Sequence, residues 1–387
     1  MKAMPASVRR AVWVLGACQC VLWGVLYYSF SVLLVPMESA LGLSRMAVAG
    51  AFSIGLAAMA LSAPWIGRWL DEGHALSLTR TGIGLALFGL LVVANAQGPL
   101  TLYLGWFSVG IAMAALLYEP AFVLVIRAVS DEGHRLRALA AVTVFGGLAS
   151  TIFLPLLSML IEHRDWRVAV LACAAAVALV AWVMERHVIP GLPPAYAMPV
   201  RKRAHRPDWP PHLGKLVTIF ASGTLASMAL TTLLIPLLIE RGASASIAAL
   251  VLAALGIAQL PGRVWLLRGS GPVSAHVMKS VPIALQVLGL AGVVAARAPV
   301  WVAAGVAVFG LGAGLQTLAR PWLVQTLYGA EDAGRWNGEV ARMQGFIRAA
   351  GPVSAAALAW VGGATLALSI AAGLLLLTLL IARRLPA

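Results

Sequence analysis

Stretches without a single Asp, Glu, Lys or Arg recur along the whole chain: 11–37, 46–67, 81–118, 138–161, 168–184, 216–239, 242–262, 280–296, 298–319 and 349–382. A bilayer's hydrocarbon core is about 30 Å thick and takes about 20 mostly apolar residues to cross as a helix. Two runs are long enough for a pair of crossings. One is interrupted at Ala96-Gln97-Gly98-Pro99 and the other at Gly362-Gly363, both strong turn signals. The pattern therefore predicts twelve helices, at 11–36, 46–66, 77–96, 100–128, 138–161, 166–187, 214–238, 245–268, 277–296, 299–328, 337–360 and 363–383. No segment alternates polar and apolar with the two-residue period that a membrane barrel requires. The expected fold class is an all-α membrane protein of twelve transmembrane helices. The first run is too long for a signal-peptide core and lacks a small-residue cleavage site, so a retained first helix is expected.

Composition agrees. Of 387 residues, 61% are hydrophobic and 11% charged, with a mean hydropathy of +0.91, against about 25% charged in ordinary soluble proteins. The net charge of +14 would suggest nucleic acid in a soluble chain. Its distribution argues otherwise. Lys2, Arg9, Arg10, Arg68, Arg80, Arg135, Arg137, Arg201, Lys202, Arg203, Arg206, Lys279, Arg383 and Arg384 fall at the termini or in loops on their side. The other side has Arg45, Arg164, Arg167, Arg241 and Arg297. Positive loops stay cytoplasmic. The expected setting is the cell (cytoplasmic or inner) membrane, with both termini cytoplasmic and no nucleic-acid partner. Trp65, Trp69, Trp166, Trp209, Trp301, Trp336 and Trp360 stand near span ends, as interfacial tryptophans do. Cys18, Cys20 and Cys173 lie in apolar runs without a paired spacing and read as small buried hydrophobes.

The longest polar stretch, 188–213, holds Pro190, Pro193, Pro194, Pro207, Pro210 and Pro211 around the cluster Arg201-Lys202-Arg203-Ala204-His205-Arg206. Proline prevents a continuous helix there, and the basic cluster suits an anionic inner leaflet. The expected organisation is a six-helix bundle over 1–187, a basic linker over 188–213 and a second six-helix bundle over 214–387. The halves match in punctuation. Gly110 opens a glycine-containing stretch in the fourth helix and Gly310-Leu311-Gly312-Ala313-Gly314 one in the tenth; ten residues on stand Pro120 and Arg320. Two pseudo-symmetric bundles are the layout of transporters built from parallel repeats.

The loop after the second helix reads Pro64-Trp65-Ile66-Gly67-Arg68-Trp69-Leu70-Asp71-Glu72-Gly73. It resembles the signature Gly-x-x-x-Asp-Arg-x-Gly-Arg of the major facilitator superfamily. The Gly67-to-Asp71 spacing is kept; Glu72 replaces a basic residue and the trailing basic pair is missing. Tyr118-Glu119-Pro120-Ala121-Phe122, Gly146-Gly147-Leu148-Ala149-Ser150-Thr151, Trp166-Arg167 and Arg348-Ala349-Ala350-Gly351-Pro352 resemble a bacterial branch similar to the monocarboxylate and oxalate/formate transporters. The resemblance implies that helices one, four, seven and ten line a central cavity. It also implies that Gly67, Arg68 and Asp71 form a cytoplasmic gate, with Asp131, Arg135 and Arg137 as candidate partners; the alternative is a solvated charged loop.

An ionisable residue inside a membrane helix costs about 2.5–3.5 kcal/mol on insertion scales and so needs a partner, a cavity or a function. Glu119 in the fourth helix and Arg320 in the tenth meet that description. Glu119 reads either as a proton-carrying carboxylate with Arg320 its counter-charge, or as one side of a static pair. Desolvation favours a neutral carboxyl and a nearby guanidinium an ionised one, so solute entry can switch between them. Arg348 falls near the middle of the eleventh helix, with Gln344 one turn earlier on the same face. Its planar fork suits a carboxylate, and the alternative is an inter-helix hydrogen bond. Arg263 reads as an interfacial arginine or, by the resemblance, as a carboxylate contact. Tyr27, Tyr28 and Gln19 can offer hydroxyl and amide groups to a cavity, or simply pack; Gln259 and Gln316 carry the same alternatives.

No GxxxxGK[ST] loop is present, which excludes ATP as the energy source. No HExxH, paired Cys/His set or GxSxG elbow supplies hydrolytic chemistry. No metal or cofactor is expected, and the chain does not read as an enzyme. The leading expectation is a monomeric secondary transporter, coupled to protons, for a small organic anion such as a monocarboxylate. Efflux of an amphipathic or cationic compound is the alternative, and a non-transporting membrane sensor is the alternative of another class.

Overall fold

Apolar runs this long can hide their backbone polar groups from lipid only by forming helices, and the computed structural model of the chain is built of them. It describes residues 5–71, 74–129, 132–191, 209–261 and 275–385. Helix α1 (Ala6–Leu22) passes through a π-helical turn, Trp23–Tyr28, into α2 (Ser29–Leu41). Then come α3 (Arg45–Asp71), α4 (Ala75–Ala94), α5 (Pro99–Leu116), α6 (Tyr118–Ala128), α7 (Glu132–Gly147), α8 (Ala149–His163) and α9 (Trp166–Val183). After the second polar stretch follow α10 (Leu213–Glu240), α11 (Ala245–Ala258), α12 (Ala275–Ala295) and the continuous assignment α13 (Pro299–Arg383).

Among the described residues ten segments are long and apolar enough to cross a membrane, and α11 is a shorter apolar helix. The last of the ten, Glu339–Arg383, spans 45 residues, enough for two crossings. It contains Gly363 at φ +78°, at the turn predicted from Gly362-Gly363. The protein is an all-α, multi-pass membrane protein.

The expected break at 329–336 between the tenth and eleventh helices is not seen, the assignment running helical through it, and three other helices differ from expectation. The first runs from Ala6 to Leu41 with the π-turn inside it. The fourth is divided at Leu117, between α5 and α6, and the fifth at Leu148, between α7 and α8. The tryptophan belt holds in part. Trp65, Trp69, Trp209, Trp301 and Trp360 are exposed, whereas Trp166 and Trp336 are buried. Trp166 is covered by the Arg167 guanidinium, 4.4 Å from its ring, and Trp336 sits 6.1 Å from the Tyr328 ring. Cys18, Cys20 and Cys173 are free and buried.

The chain forms two compact units, Met1–Ser44 with Ile54–Ala204, and Arg45–Ser53 with His205–Ala387. The start of α3 thus belongs to the second unit. There Arg45 Nη1 donates to Glu240 at 2.8 Å, and the Val353 amide donates to Ser53 Oγ at 3.2 Å.

Inside each unit the same devices recur 200 residues apart. Gly42 (φ +62°) and Gly242 (φ +89°) each follow the first helix of their half. That left-handed turn favours glycine. Pro99 and Pro299 each occupy the first helical turn, where the missing N–H is harmless. A Cβ on Gly89 would lie 2.8 Å from Gly105 O, and one on Gly289 2.6 Å from Gly305 O. Only glycine allows helix backbones that close.

Candidate functional site

The division of the fourth helix follows from Pro120. Proline has no N–H, so the Leu116 carbonyl loses the partner an intact helix would supply. The backbone leaves helical dihedrals at Leu117 (φ −78°, ψ −156°). Gln19, fully buried on α1, takes the place of that partner: its Nε2 donates to Leu116 O at 2.7 Å. Gln19 is therefore a structural bridge between the first and fourth helices of its unit. Replacing it by leucine would orphan a buried carbonyl, worth about 1–3 kcal/mol. Gln19→Leu is expected to lower the melting temperature of purified protein, and Gln19→Asn to recover little, because the shorter side chain does not reach.

The equivalent contact in the second unit uses the opposite helix. Position 316 is a glutamine, and its Nε2 donates to Ile219 O at 3.1 Å. Residues 19 and 219, and 116 and 316, are again 200 apart. Gln316 Oε1 accepts from Gln286 Nε2 at 2.7 Å, and Gln286 is fully buried. Gln286 Oε1 has no hydrogen-bond partner among the described residues.

One turn beyond Gln316 on the same helical segment lies Arg320, which is half-buried. Its Nη1 donates to Gln344 Oε1 at 2.6 Å. The Gln344 amide in turn donates to Thr224 Oγ1 at 2.9 Å and to Phe220 O at 3.2 Å. Thr224 Oγ1 donates to Phe220 O at 2.8 Å. Arg320 is thereby held to α10 through a glutamine. The sequence placed Gln344 with Arg348 as neighbours one helical turn apart; in the fold Gln344 turns its oxygen to Arg320 instead.

That leaves Arg348. It is half-buried inside the Glu339–Arg383 segment and makes no hydrogen bond or ion pair with any described residue. Its neighbourhood is close-packed: a Cβ on Gly351 would lie 2.5 Å from the Met228 Cβ of α10. A guanidinium is permanently charged, so one that has no partner among the described residues of an apolar segment calls for an anion, water or a carboxylate.

The other predicted site residues are placed as follows. Glu119 lies in the first turn of α6, with its side chain outside the described residues. Arg263 lies outside the described residues altogether. Gly67 is in the last turns of α3 and has nothing within 4 Å of an added Cβ. The Arg68 and Asp71 side chains, and those of Asp131, Arg135 and Arg137, lie outside the described residues. Tyr28 ends the π-turn, with its ring 5.2 Å from Tyr27 and 6.3 Å from Trp23. Among the described residues no three His, Cys, Asp or Glu come together as a metal site would need.

The Major Facilitator Superfamily profile matches residues 12–352, which is most of the chain. The chain belongs to the Major Facilitator Superfamily. No curated protein matches the sequence significantly. Solved structures with the same fold include a POT family transporter in complex with a thioalcohol-conjugated peptide, at TM-score 0.76 and 14% identity over 98% of this chain and 97% of that one. A mutant of the nucleoside transporter NupG aligns at TM-score 0.74 and 12% identity, over 97% and 99% of the two chains. A bacterial homologue of the human lysosomal transporter Spinster, described as inward-facing and occupied, aligns at 0.73 and 14%, over 96% and 95%.

This superfamily member is thus a membrane transporter of a small solute. Two of its polar residues were not singled out from the sequence: Thr224, a threonine among the apolar residues of α10, and Gln286, which carries the signal that Gln316 also showed, an uncharged amide within an apolar run.

Proposed function

We propose that this transporter carries a small organic anion such as a monocarboxylate, in symport or antiport with protons. The observation that supports the reading is Arg348, a half-buried cation within a membrane segment that has no partner among the described residues. A carboxylate matches its fork in two parallel hydrogen bonds. Arg320, already held by Gln344, adds positive potential from the same unit. The resemblance to monocarboxylate and oxalate/formate transporters in Tyr118–Phe122 and Arg348–Pro352 points the same way.

Glu119 is assigned the proton, because it is the carboxyl group of the Pro99–Phe122 membrane segment. It follows the Leu117 break, where a local rearrangement disturbs few helical bonds. Arg263 and Tyr28 are assigned to the solute path, and Gly67, Arg68 and Asp71 to a gate at the end of α3. The charge distribution supports an inner-membrane protein with cytoplasmic termini, organised as two six-helix bundles joined by the basic linker.

The test is solute uptake into proteoliposomes under an imposed pH gradient, with lactate, oxalate and tetraphenylphosphonium compared. Gradient-dependent movement of the anions, abolished by a protonophore, is the expected result. Movement of the lipophilic cation alone would replace this reading with cation efflux.

A further inference from the structure

The first unit contains an aromatic group that the polar network does not involve. Trp23 lies 4.8 Å from Tyr118, 5.1 Å from Tyr27 and 6.3 Å from Tyr28, and Tyr118 stacks on Phe122 at 5.2 Å with 9° between planes. The rings come from two unusual pieces of backbone. Trp23, Tyr27 and Tyr28 lie on the π-turn, and Tyr118 and Phe122 on the first turns after the Leu117 break. A π-turn inserts a residue into a helix and redirects its side chains, and such turns are frequent at functional sites. Gly24 lets this one press against Phe153 of α8. The Tyr118 hydroxyl donates to Thr143 O at 3.3 Å, over Gly146, which holds that ring in place.

Packing alone fits poorly. The Phe30–Trp106 pair of the same unit, 5.4 Å apart, is sealed, with each residue 1% exposed. In the Trp23 group only Tyr27 is buried; Trp23, Tyr28, Tyr118 and Phe122 all keep accessible surface. Partly exposed rings gathered on two irregular pieces of backbone suit a flat solute.

We propose that Trp23, Tyr28, Tyr118 and Phe122 form a stacking subsite for a planar ring, which makes the transported class an aryl carboxylate. The carboxylate half rests on the anion reading above; the ring half rests on this aromatic group alone. Offset and edge contacts with the four rings favour a flat π-system over a puckered saturated ring of equal size.

The test uses the full-length protein and two ring-matched pairs: benzoate against cyclohexanecarboxylate, and benzylamine against cyclohexylmethylamine. Binding is read as thermal stabilisation in detergent, and transport as competition in proteoliposomes. Benzoate is expected to act at about a tenfold lower concentration than cyclohexanecarboxylate, the scale of two to three ring contacts. Trp23→Leu is expected to erase that preference, with some loss of unliganded melting temperature from the ring contacts it removes, and Trp23→Phe to keep part of it. If Trp23→Leu does not fold, Phe122→Leu reads the same preference. Equal action of benzoate and its saturated partner overturns the subsite but leaves the anion reading intact. A ring preference seen only in the amine pair overturns the anion reading, and with it the carboxylate half. No binding from either pair overturns the subsite, as does a preference that survives Trp23→Leu and Phe122→Leu.

Discussion

Arg348→Gln is expected to cut uptake of a small organic anion by about ten- to a hundredfold, with the fold left intact. Charge-assisted hydrogen bonds to a carboxylate contribute about 1.5–3 kcal/mol, and each 1.4 kcal/mol is a factor of ten. The fold is expected to be spared because Arg348 makes no hydrogen bond or ion pair with a described residue, so glutamine strands no partner among them. Arg320→Gln differs in kind. It removes a guanidinium that holds Gln344 at 2.6 Å, and Gln344 in turn bonds Thr224 and Phe220. That variant is expected to lose both transport and thermal stability. Initial uptake rates in proteoliposomes, set beside melting temperatures of the same preparations, separate the two. An Arg348→Gln protein that transports at the wild-type rate would remove the anion anchor from this account.

Gly110→Ala is expected to be among the most destabilising single methyl additions in the chain. A Cβ on Gly110 would collide with the backbone carbonyl of Gly55, and one on Gly55 would sit 2.6 Å from Trp106 O. Main-chain atoms of two helices cannot swing aside as a flexible side chain does, so α3 and α5 must separate along their contact. Overpacking in a close-packed interior costs about 1–3 kcal/mol and sometimes more, and the upper part of that range applies here. Gly67→Ala is the control: nothing lies within 4 Å of its added Cβ, and a melting temperature near wild type is expected. Thermal unfolding in one detergent, with the order Gly110→Ala well below Gly67→Ala, is the measurement. Equal stabilities would mean that α3 and α5 do not pack through these glycines.

How much of the site the sequence discloses can be judged from individual residues. Arg320 and Arg348 stand out in a linear reading because a charge in an apolar run is costly wherever the helix lies. Their different fates do not stand out. Gln344 is one turn from Arg348 in sequence, and only the approach of the Arg320 segment shows that its amide is already engaged. In sequence Gln19 reads as a cavity amide or a packing residue, and only the fold sets it against Leu116, whose carbonyl lacks a helical partner because Pro120 has no N–H. The aromatic group is visible only in part. Tyr27 and Tyr28 are adjacent in sequence, but Trp23 and Tyr118 are 95 positions apart, and a π-turn has no residue pattern that announces it.

By itself the sequence determined the class of this protein: about 20 apolar residues per crossing, few charges within the crossings, and turns at Ala96–Pro99 and Gly363. Those follow from the thickness of a bilayer, the cost of a buried charge and the dihedral freedom of glycine, all properties of a residue and its near neighbours. Tertiary structure alone decided which amide meets which carbonyl, which arginine is tied to Gln344, and which rings face one another. Those depend on helices far apart in the chain coming within a few ångströms, and hydrogen bonds and ring contacts fade over distances shorter than one helix diameter.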